Sequence, residues 1–401
     1  MSKHIIEDAK RCLQCPKPKC TEGCPIGTPI KDVIGLLLES KVMEAGHMLF
    51  QNNPLSLVCS HVCPQENQCE GHCVLGKKGS PICISSIESY ISDYFLSIFK
   101  PTPSLKYRGK VAIIGSGPAG ITIAFSLASK HYDVTMFDRH HKIGGILRYG
   151  IPEFRLPNSI INRLADKLEE SGVKIRPNTT IGVNLNIDEL FRDGYHAIFM
   201  ATGAWRPRKL NIKGETFGHV HYAIEYLKNP DVYRLGKKII VIGAGNVAMD
   251  VARSAFRGGC RDITIACHGD ESSITARDYE VQFAKIDGAR FEMNKTAVEI
   301  TDDGVIFADS DNLENKKLMT ADSIIIAIGQ EPRSFDISSK GKVDVDEGGL
   351  VIVDKYGHTN QDGVFAGGDV VTGAKTVVDA VVAAKRVAKA MDEFIIKKQE
   401  N

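Results

Sequence analysis

Nine of the eleven cysteines in this 401-residue chain fall between positions 12 and 83. The first array is Cys12-x2-Cys15-x4-Cys20-x3-Cys24-Pro25. The second is Cys59-x3-Cys63-Pro64-x4-Cys69-x3-Cys73, with Cys83 trailing. Residues 1–10 contain no apolar run of the kind a secretory leader needs, so a cytoplasmic setting is expected and the density reads as metal ligation, not disulfides. Thiolates are soft ligands that suit iron–sulfur clusters or zinc. Structural zinc sites pair two short C-x2-C knuckles, and only one occurs here. The fourth cysteine of the first array precedes proline, as the last ligand does in two-cluster ferredoxins. Eight ligands would hold two 4Fe-4S clusters, with structural zinc as the alternative. The bland alternative for Cys59 and for Cys83 is a spare buried thiol. His61 and His72 read as solvated or capping residues.

A second chemistry begins at Lys110-Val-Ala-Ile-Ile-Gly115-Ser-Gly117-Pro118-Ala119-Gly120. An apolar strand breaks into G-x-G-x-x-G and continues into a buried helix, the context a dinucleotide fingerprint requires. The first glycine turns the chain, the second admits a pyrophosphate, and the third lets helix pack on strand. The helix N-terminus offers unpaired N–H groups to the phosphates. A second strand ends at Asp138, where an acid can meet an adenosine ribose. The pattern returns as Ile239-Ile-Val-Ile-Gly243-Ala-Gly245-Asn246-Val247-Ala248, so the chain carries two nucleotide folds. Its second strand ends in Cys267-His268-Gly269, with neither an acid for a ribose diol nor an arginine for a 2′-phosphate at the tip. NADH and NADPH both stay open. Arg253, Arg257 and Arg277 stand near in sequence, and the commoner reading of each is a solvated side chain.

The elements that must position these residues follow from periodicity. Ile30 to Phe50 has amphipathic helical spacing, and Ile84 to Phe99 reads as a second helix. Lys100-Pro-Thr-Pro-Ser104 is a linker. Residues 141–157 are rich in Gly, Pro and aromatics, a poor helix or strand that can lie along a planar ring or form an ordinary surface loop. Asn158–Ser171 reads as a helix. Strands ending in turns are expected at Ala197–Gly203, Ser323–Gln330 and Gly363–Asp369, the last before a helix from about Lys375 to Phe394. Lys and Arg (50) nearly balance Asp and Glu (49), so no basic field favours nucleic acid. No apolar stretch is long enough to span a bilayer.

Taken in order, these motifs resemble one family. It includes the small (β) subunit of bacterial glutamate synthase, the small subunit of NAD-dependent dihydropyrimidine dehydrogenase, and the flavin–NADPH subunit of bifurcating ferredoxin:NADP oxidoreductases. The carriers are the double cysteine array with Pro25 and Pro64, the stretch Gly-Ile-Leu-Arg-Tyr-Gly-Ile-Pro-Glu-Phe-Arg-Leu-Pro, and Gly367-Gly368-Asp369. The resemblance implies an α/β chain with two Rossmann-like domains in a disulfide-reductase-like layout, preceded by an α-helical iron–sulfur domain. That domain would span residues 1–105, the FAD domain 106–210 and 331–401, and the NAD(P)H domain 211–330. FAD would meet Gly115, Gly117, Pro118, Ala119, Gly120, Asp138, Gly145, Leu147, Arg148, Ile151, Thr202, Gly203, Gly368, Asp369, Lys375, Thr376 and Val377. NADH or NADPH would meet Gly243, Gly245, Asn246, Val247, Ala248, His268 and Gly329. One cluster would take Cys12, Cys15, Cys20 and Cys73. The other would take Cys24, Cys63, Cys69 and the carboxylate of Glu88, which spacing alone makes a solvated helix residue. Many members carry Arg-Arg where this chain has His268-Gly269. Its segment from Met293 to Thr320 is shorter than in glutamate synthase subunits.

The expected activity is conversion of a hydride into single electrons, passed from NAD(P)H through FAD and the clusters. The acceptor would be a larger catalytic subunit (an amidotransferase with an FMN barrel, or a dihydropyrimidine-oxidising chain) or ferredoxin. No proton-transfer residue is required. A thioredoxin-reductase-like enzyme would need C-x-x-C near the flavin, whereas Cys260 and Cys267 have six residues between them. The non-enzyme alternative is a zinc-stapled nucleotide-binding scaffold.

Overall fold

Apolar spacing in the first hundred residues produces a helical bundle whose core is shared by the cysteines. The computed structural model describes residues 2–103, 107–332 and 343–400. Helices α1 (Ser2–Lys10), α2 (Lys19–Glu22), α3 (Ile30–Leu38), α4 (Val42–Asn52), α5 (Ser56–Val62) and α6 (Ile84–Ile98) come first. Ile30, Val33, Ile34, Leu37, Leu49, Ile87 and Ile91 form their core, against which Cys12, Cys20, Cys24 and Cys73 pack. The single helix expected from Ile30 to Phe50 is two helices. Ser40 takes φ 63°, its N–H donates to Leu37 O (3.0 Å), and Lys41 N–H donates to Leu36 O (2.9 Å). This is a Schellman closure with serine in the left-handed position usually given to glycine. Ser104, the end of the expected linker, and the expected boundary at 105/106 lie outside the described residues.

The chain continues with β1 (Lys110–Ile114), α7 (Pro118–Ala128), β2 (Asp133–Phe137), α8 (Ile146–Tyr149), α9 (Asn158–Glu170), β3 (Lys174–Arg176), α10 (Ile187–Arg192) and β4 (Ala197–Met200). Next come β5 (Ala204–Pro207), β6 (Val220–Tyr222), α11 (Ala223–Lys228), β7 (Lys238–Ile242), α12 (Asn246–Arg257), β8 (Asp262–Ala266), α13 (Asp278–Ile286) and β9 (Arg290–Glu292). A hairpin sheet of β10 (Lys295–Thr301), β11 (Gly304–Asp309) and β12 (Asn312–Thr320) precedes β13 (Ser323–Ile326) and β14 (Gln330–Pro332). The chain closes with β15 (Val364–Ala366), α14 (Asp369–Thr372) and α15 (Val377–Glu400).

The chain divides into two compact units. The first is Met1–Leu147, Glu153–Ala204 and Pro332–Asn401. It holds the helical bundle and a parallel sheet of order β15-β4-β1-β2-β3. A central first strand flanked by second and third on one side and a later strand on the other is doubly wound topology. Within this unit Phe50 of α4 meets Phe125 of α7 edge-on at 5.1 Å, and Lys385 Nζ donates to Asn52 O (2.6 Å) at the carboxyl end of α4. The second unit is Arg148–Pro152 and Trp205–Glu331, with sheet order β6-β13-β7-β8-β9, also parallel. Alternate residues of β7 serve its two faces. Ile239 and Val241 pack with α12 residues, and Ile240 and Ile242 with Val305 and Phe307 of the hairpin sheet.

Candidate functional site

The first fingerprint folds as its glycines dictate. Gly115 sits at φ +102°, and a Cβ there would lie 2.3 Å from Ala201 O. Gly117 precedes α7, and Pro118 occupies its first turn, a position where proline's missing N–H costs nothing. A Cβ on Gly120 would meet Gly115 O at 2.0 Å, one on Gly145 (φ +52°) would meet Gly117 Cα at 2.7 Å, and one on Gly368 (φ +78°) would meet Ala119 Cβ at 3.1 Å. Gly144 N–H donates to Ser116 O (3.0 Å). Gly115, Gly117, Ala119, Gly120, Gly145, Gly368 and the turn at Thr202-Gly203 therefore converge around the N-terminus of α7. That convergence leaves backbone where side chains would otherwise stand, a cradle suited to a dinucleotide pyrophosphate.

Asp138 lies beside this turn, 6% exposed. Its Oδ2 accepts from Ser116 N (2.8 Å) and from the Ser116 hydroxyl. Its Oδ1 accepts from His140 N (2.8 Å) and pairs with His140 Nδ1 (3.0 Å). Burial alone would raise its pKa, but the bonds from His140 and Ser116 outweigh burial and hold it below the usual carboxylate range. Ser116 and His140 escaped the sequence reading because no motif marks them.

Leu147 is buried in α8, a short helix inside a stretch expected to hold none. Arg148 and Ile151 fall in the second unit. Asp369 opens α14, accepts from Lys375 N (3.4 Å), and is raised to about 6 by burial, with Asp379 adding repulsion. Thr376 caps α15. Its hydroxyl donates to Asp379 Oδ2 (2.6 Å) and accepts from Asp379 N (3.3 Å), a capping box closed by aspartate.

In the second unit, Gly243 (φ +128°) approaches Ala327 O, where a Cβ would lie at 2.4 Å. Gly245 precedes α12, Asn246 Oδ1 accepts from Arg277 N (3.0 Å), and Ala248 is buried. Val247 packs at the edge of this unit's core. Gly329 has φ +111°, and its carbonyl accepts from Arg208 N (3.1 Å). His268 is exposed, its carbonyl held by Ser310 Oγ (2.6 Å). The arginines read as solvated are partnered instead. Arg253 pairs with Glu280 (2.6 Å) and Asp287 (3.2 Å), Arg257 with Asp287 (3.0 Å) and Arg277 with Glu280 (2.9 Å). Cys260 and Cys267 are buried free thiols, bonded to Gly236 O and Ser273 Oγ respectively.

The cysteine arrays come together in the first unit. Cys12, Cys15, Cys20 and Cys73 line one pocket whose other walls include Leu13, Ile30, Ile34, Leu75, Ile82 and Ile84. Four thiols on an apolar pocket are the donor chemistry of a cluster site. The arrays meet again where Gly23 backs onto the His72 ring. Cys63 and Cys69 are buried; the hydrogen bond with Cys59, then burial, pushes the Cys63 thiol up, and burial, then repulsion from Glu88, pushes the Cys69 thiol up. Glu88, a solvated residue on spacing alone and a ligand by the resemblance, is half-buried and raised to about 8 by desolvation, with Glu70 contributing. Acidic groups that repel one another as anions suit a cationic iron centre, which would neutralise them. Among the described residues, no three such side chains converge as tightly as one ion requires. His61 and His72, read as solvated or capping residues, each bond the carbonyl four residues back, Leu57 O (2.9 Å) and Gln68 O (2.6 Å).

Cys59, read as spare, is buried beside Cys63, with Val377 and Val378 against the pair. Asn53 Nδ2 donates to Cys59 Sγ (3.2 Å). Neither Asn53 nor Val378 carries a motif, and only their burial marks them.

Residues 109–386 match the pyridine nucleotide-disulphide oxidoreductase family, and residues 1–98 match dihydropyrimidine dehydrogenase domain II, 4Fe-4S cluster. The glutamate synthase [NADPH] small chain of Escherichia coli is 31% identical across 95% of this chain and 89% of its own length. The chain belongs to the glutamate synthase small-chain family of pyridine nucleotide-disulphide oxidoreductases. The NAD-dependent dihydropyrimidine dehydrogenase subunit PreT of Salmonella typhimurium is also 31% identical, across 97% of this chain and 94% of its own length. Thioredoxin reductase of Lactococcus lactis superposes with a TM-score of 0.60 at 26% identity, covering 72% of this chain and 99% of that one. As a member of this family the chain is an NAD(P)H-dependent flavoprotein oxidoreductase, and its cofactors are FAD, NAD(P)H and 4Fe-4S clusters. Among the described residues no helix is long and apolar enough to cross a membrane.

Proposed function

We propose that this chain is the electron-input subunit of a larger oxidoreductase of the glutamate synthase type, taking reducing equivalents from NADH or NADPH and handing electrons to a bigger catalytic subunit. Residues 1–105 would be its iron–sulfur domain, 106–210 and 331–401 its FAD domain, and 211–330 its NAD(P)H domain. Cys12, Cys15, Cys20 and Cys73 would hold one cluster, and Cys24, Cys63, Cys69 and Glu88 the other. When bound, FAD exchanges a hydride for single electrons and 4Fe-4S clusters carry electrons one at a time.

The protein's own residues do the positioning. The amides at the start of α7 receive the pyrophosphate, and Gly145 and Gly368 keep side chains out of its way. Asp369, half-buried at the start of α14, holds the Lys375 amide toward the cofactor's arm. Val377 and Val378 exclude water between that segment and Cys63. The observation that carries the reading is this last contact, because it joins the cysteine arrays to the flavin fold through a dry apolar seam. It makes the Cys63 group the inner one.

A dihydropyrimidine-oxidising partner is the second reading. The short β10–β12 sheet favours it, as does the alignment with the Salmonella subunit, which spans 400 residues against 421 for the Escherichia coli small chain. Cys63→Ala tests the division of labour. Under anaerobic conditions the variant should keep flavin bleaching by NADH or NADPH but lose the electron paramagnetic resonance signal of reduced clusters. Loss of bleaching with FAD content intact would overturn it.

A further inference from the structure

The pocket formed by Cys12, Cys15, Cys20 and Cys73 opens beside Leu13, whose apolar side chain is 62% exposed. An isolated exposed leucine needs no explanation, but this one shares its pocket and chain segments with several cations. Lys19 and Lys31 line the pocket itself. Lys17 is exposed between Cys15 and Cys20, and Lys77 and Lys78 are exposed on the turn that follows Cys73. The acids on the same segments are largely committed. Asp8 bonds Arg11 and the Cys83 amide, Glu22 bonds Lys19 (2.5 Å), and Glu7 lies 3.9 Å from His4. Asp32 is exposed with no ion pair among the described residues and Glu70 accepts from Ser85, against Lys17, Lys31, Lys77 and Lys78. The whole chain is nearly neutral, with 50 basic and 49 acidic residues, whereas the cysteine segments carry several exposed lysines.

An apolar centre with a charged rim is the anatomy of a transient docking site. Rim cations raise encounter rates with a partner of opposite sign more than they deepen affinity. We propose that this face is the docking surface for the electron-accepting protein, and that the acceptor presents an acidic surface with an apolar spot over Leu13. This rests on the reading that electrons leave through the first cysteine group. The fit is specific to a protein partner, because a small acceptor gains nothing from a rim of this breadth.

The probe is an acidic two-cluster ferredoxin, with basic cytochrome c as the opposite-charge control, both reduced anaerobically by the NADH- or NADPH-fed holoprotein. Ferredoxin reduction should slow steeply between about 20 and about 300 mM salt as the rim is screened. Lys17→Glu/Lys77→Glu/Lys78→Glu should slow it ~10-fold and quicken cytochrome c reduction. Lys316→Glu/Lys317→Glu, on β12, should change neither. Flavin bleaching and the reduced-cluster signal, read on the same samples, should be unaltered in all three proteins. Ferredoxin reduction indifferent to salt and to the triple reversal, or a wild-type protein that reduces only cytochrome c, would overturn the docking surface. A cluster signal missing from wild type would instead overturn the electron route beneath it.

Discussion

Asp138 shows how one residue can be legible in sequence while its surroundings are not. Its place at the tip of the second strand marks it as a nucleotide acid, but the structure gives its carboxylate four donors from Ser116 and His140. It therefore also ties the glycine turn to β2. Hydrogen bonds to a charged group are worth about 1.5–3 kcal/mol. Asp138→Ala should lower FAD content and also destabilise FAD-stripped protein by roughly that amount in thermal unfolding. A carboxylate whose folded pKa is depressed adds stability above its unfolded value near 3.8 and loses it as pH falls through the folded one. The gap between wild type and variant should accordingly be constant near neutrality and shrink below about pH 4. Glu88 is the opposite lesson. Helical spacing assigns it to solvent, and only the packing of α6 against two cysteine segments brings it to the thiols.

The elements that read correctly are those whose signal is backbone geometry. Both G-x-G fingerprints had to be strand–turn–helix because Gly115 and Gly243 take φ values closed to other residues. The break between α3 and α4 was hidden because Ser40 took the left-handed position without a glycine to announce it. The β10–β12 sheet carries no motif, and its outer strand is largely exposed. The third fingerprint position separates the two folds: Ala248 is accepted in α12, whereas a Cβ at Gly120 would press on Gly115 O. Gly120→Ala should cost about 2 kcal/mol or more of thermal stability, in line with overpacking, and leave protein with little flavin. Gly245→Ala, whose added carbon meets only Thr275 Oγ1 at 3.6 Å, should be far milder in the same assay.

At the scale of the whole molecule, the expectation that residues 331–401 return to the FAD domain rests on the family resemblance that Gly367-Gly368-Asp369 helps carry, not on a local pattern. What stayed hidden was how the helical bundle is fastened to it. Phe50 on Phe125 and Lys385 on the end of α4 are long-range contacts that no local window reports. Because the cysteines are part of the bundle's core, iron should be a structural element as well as a redox one. Chelator-stripped protein should lose hydrogen-exchange protection by about an order of magnitude or more in residues 30–98. β1, β2 and β4 should keep theirs, as resolved by peptide mass spectrometry.

β15 pairs with β4 only after Trp205–Glu331 of the second unit has been threaded between them, and Asp392 of α15 reaches back to Lys130 and Tyr132. On the ribosome, the intervening nucleotide fold is complete and can collapse while its elder neighbour still lacks an edge strand and its closing helix. The glycine cradle at α7 is thus the later of the two to be finished, although its fingerprint emerges first, and the exposed side of β4 is what nascent chains must shield in the interval.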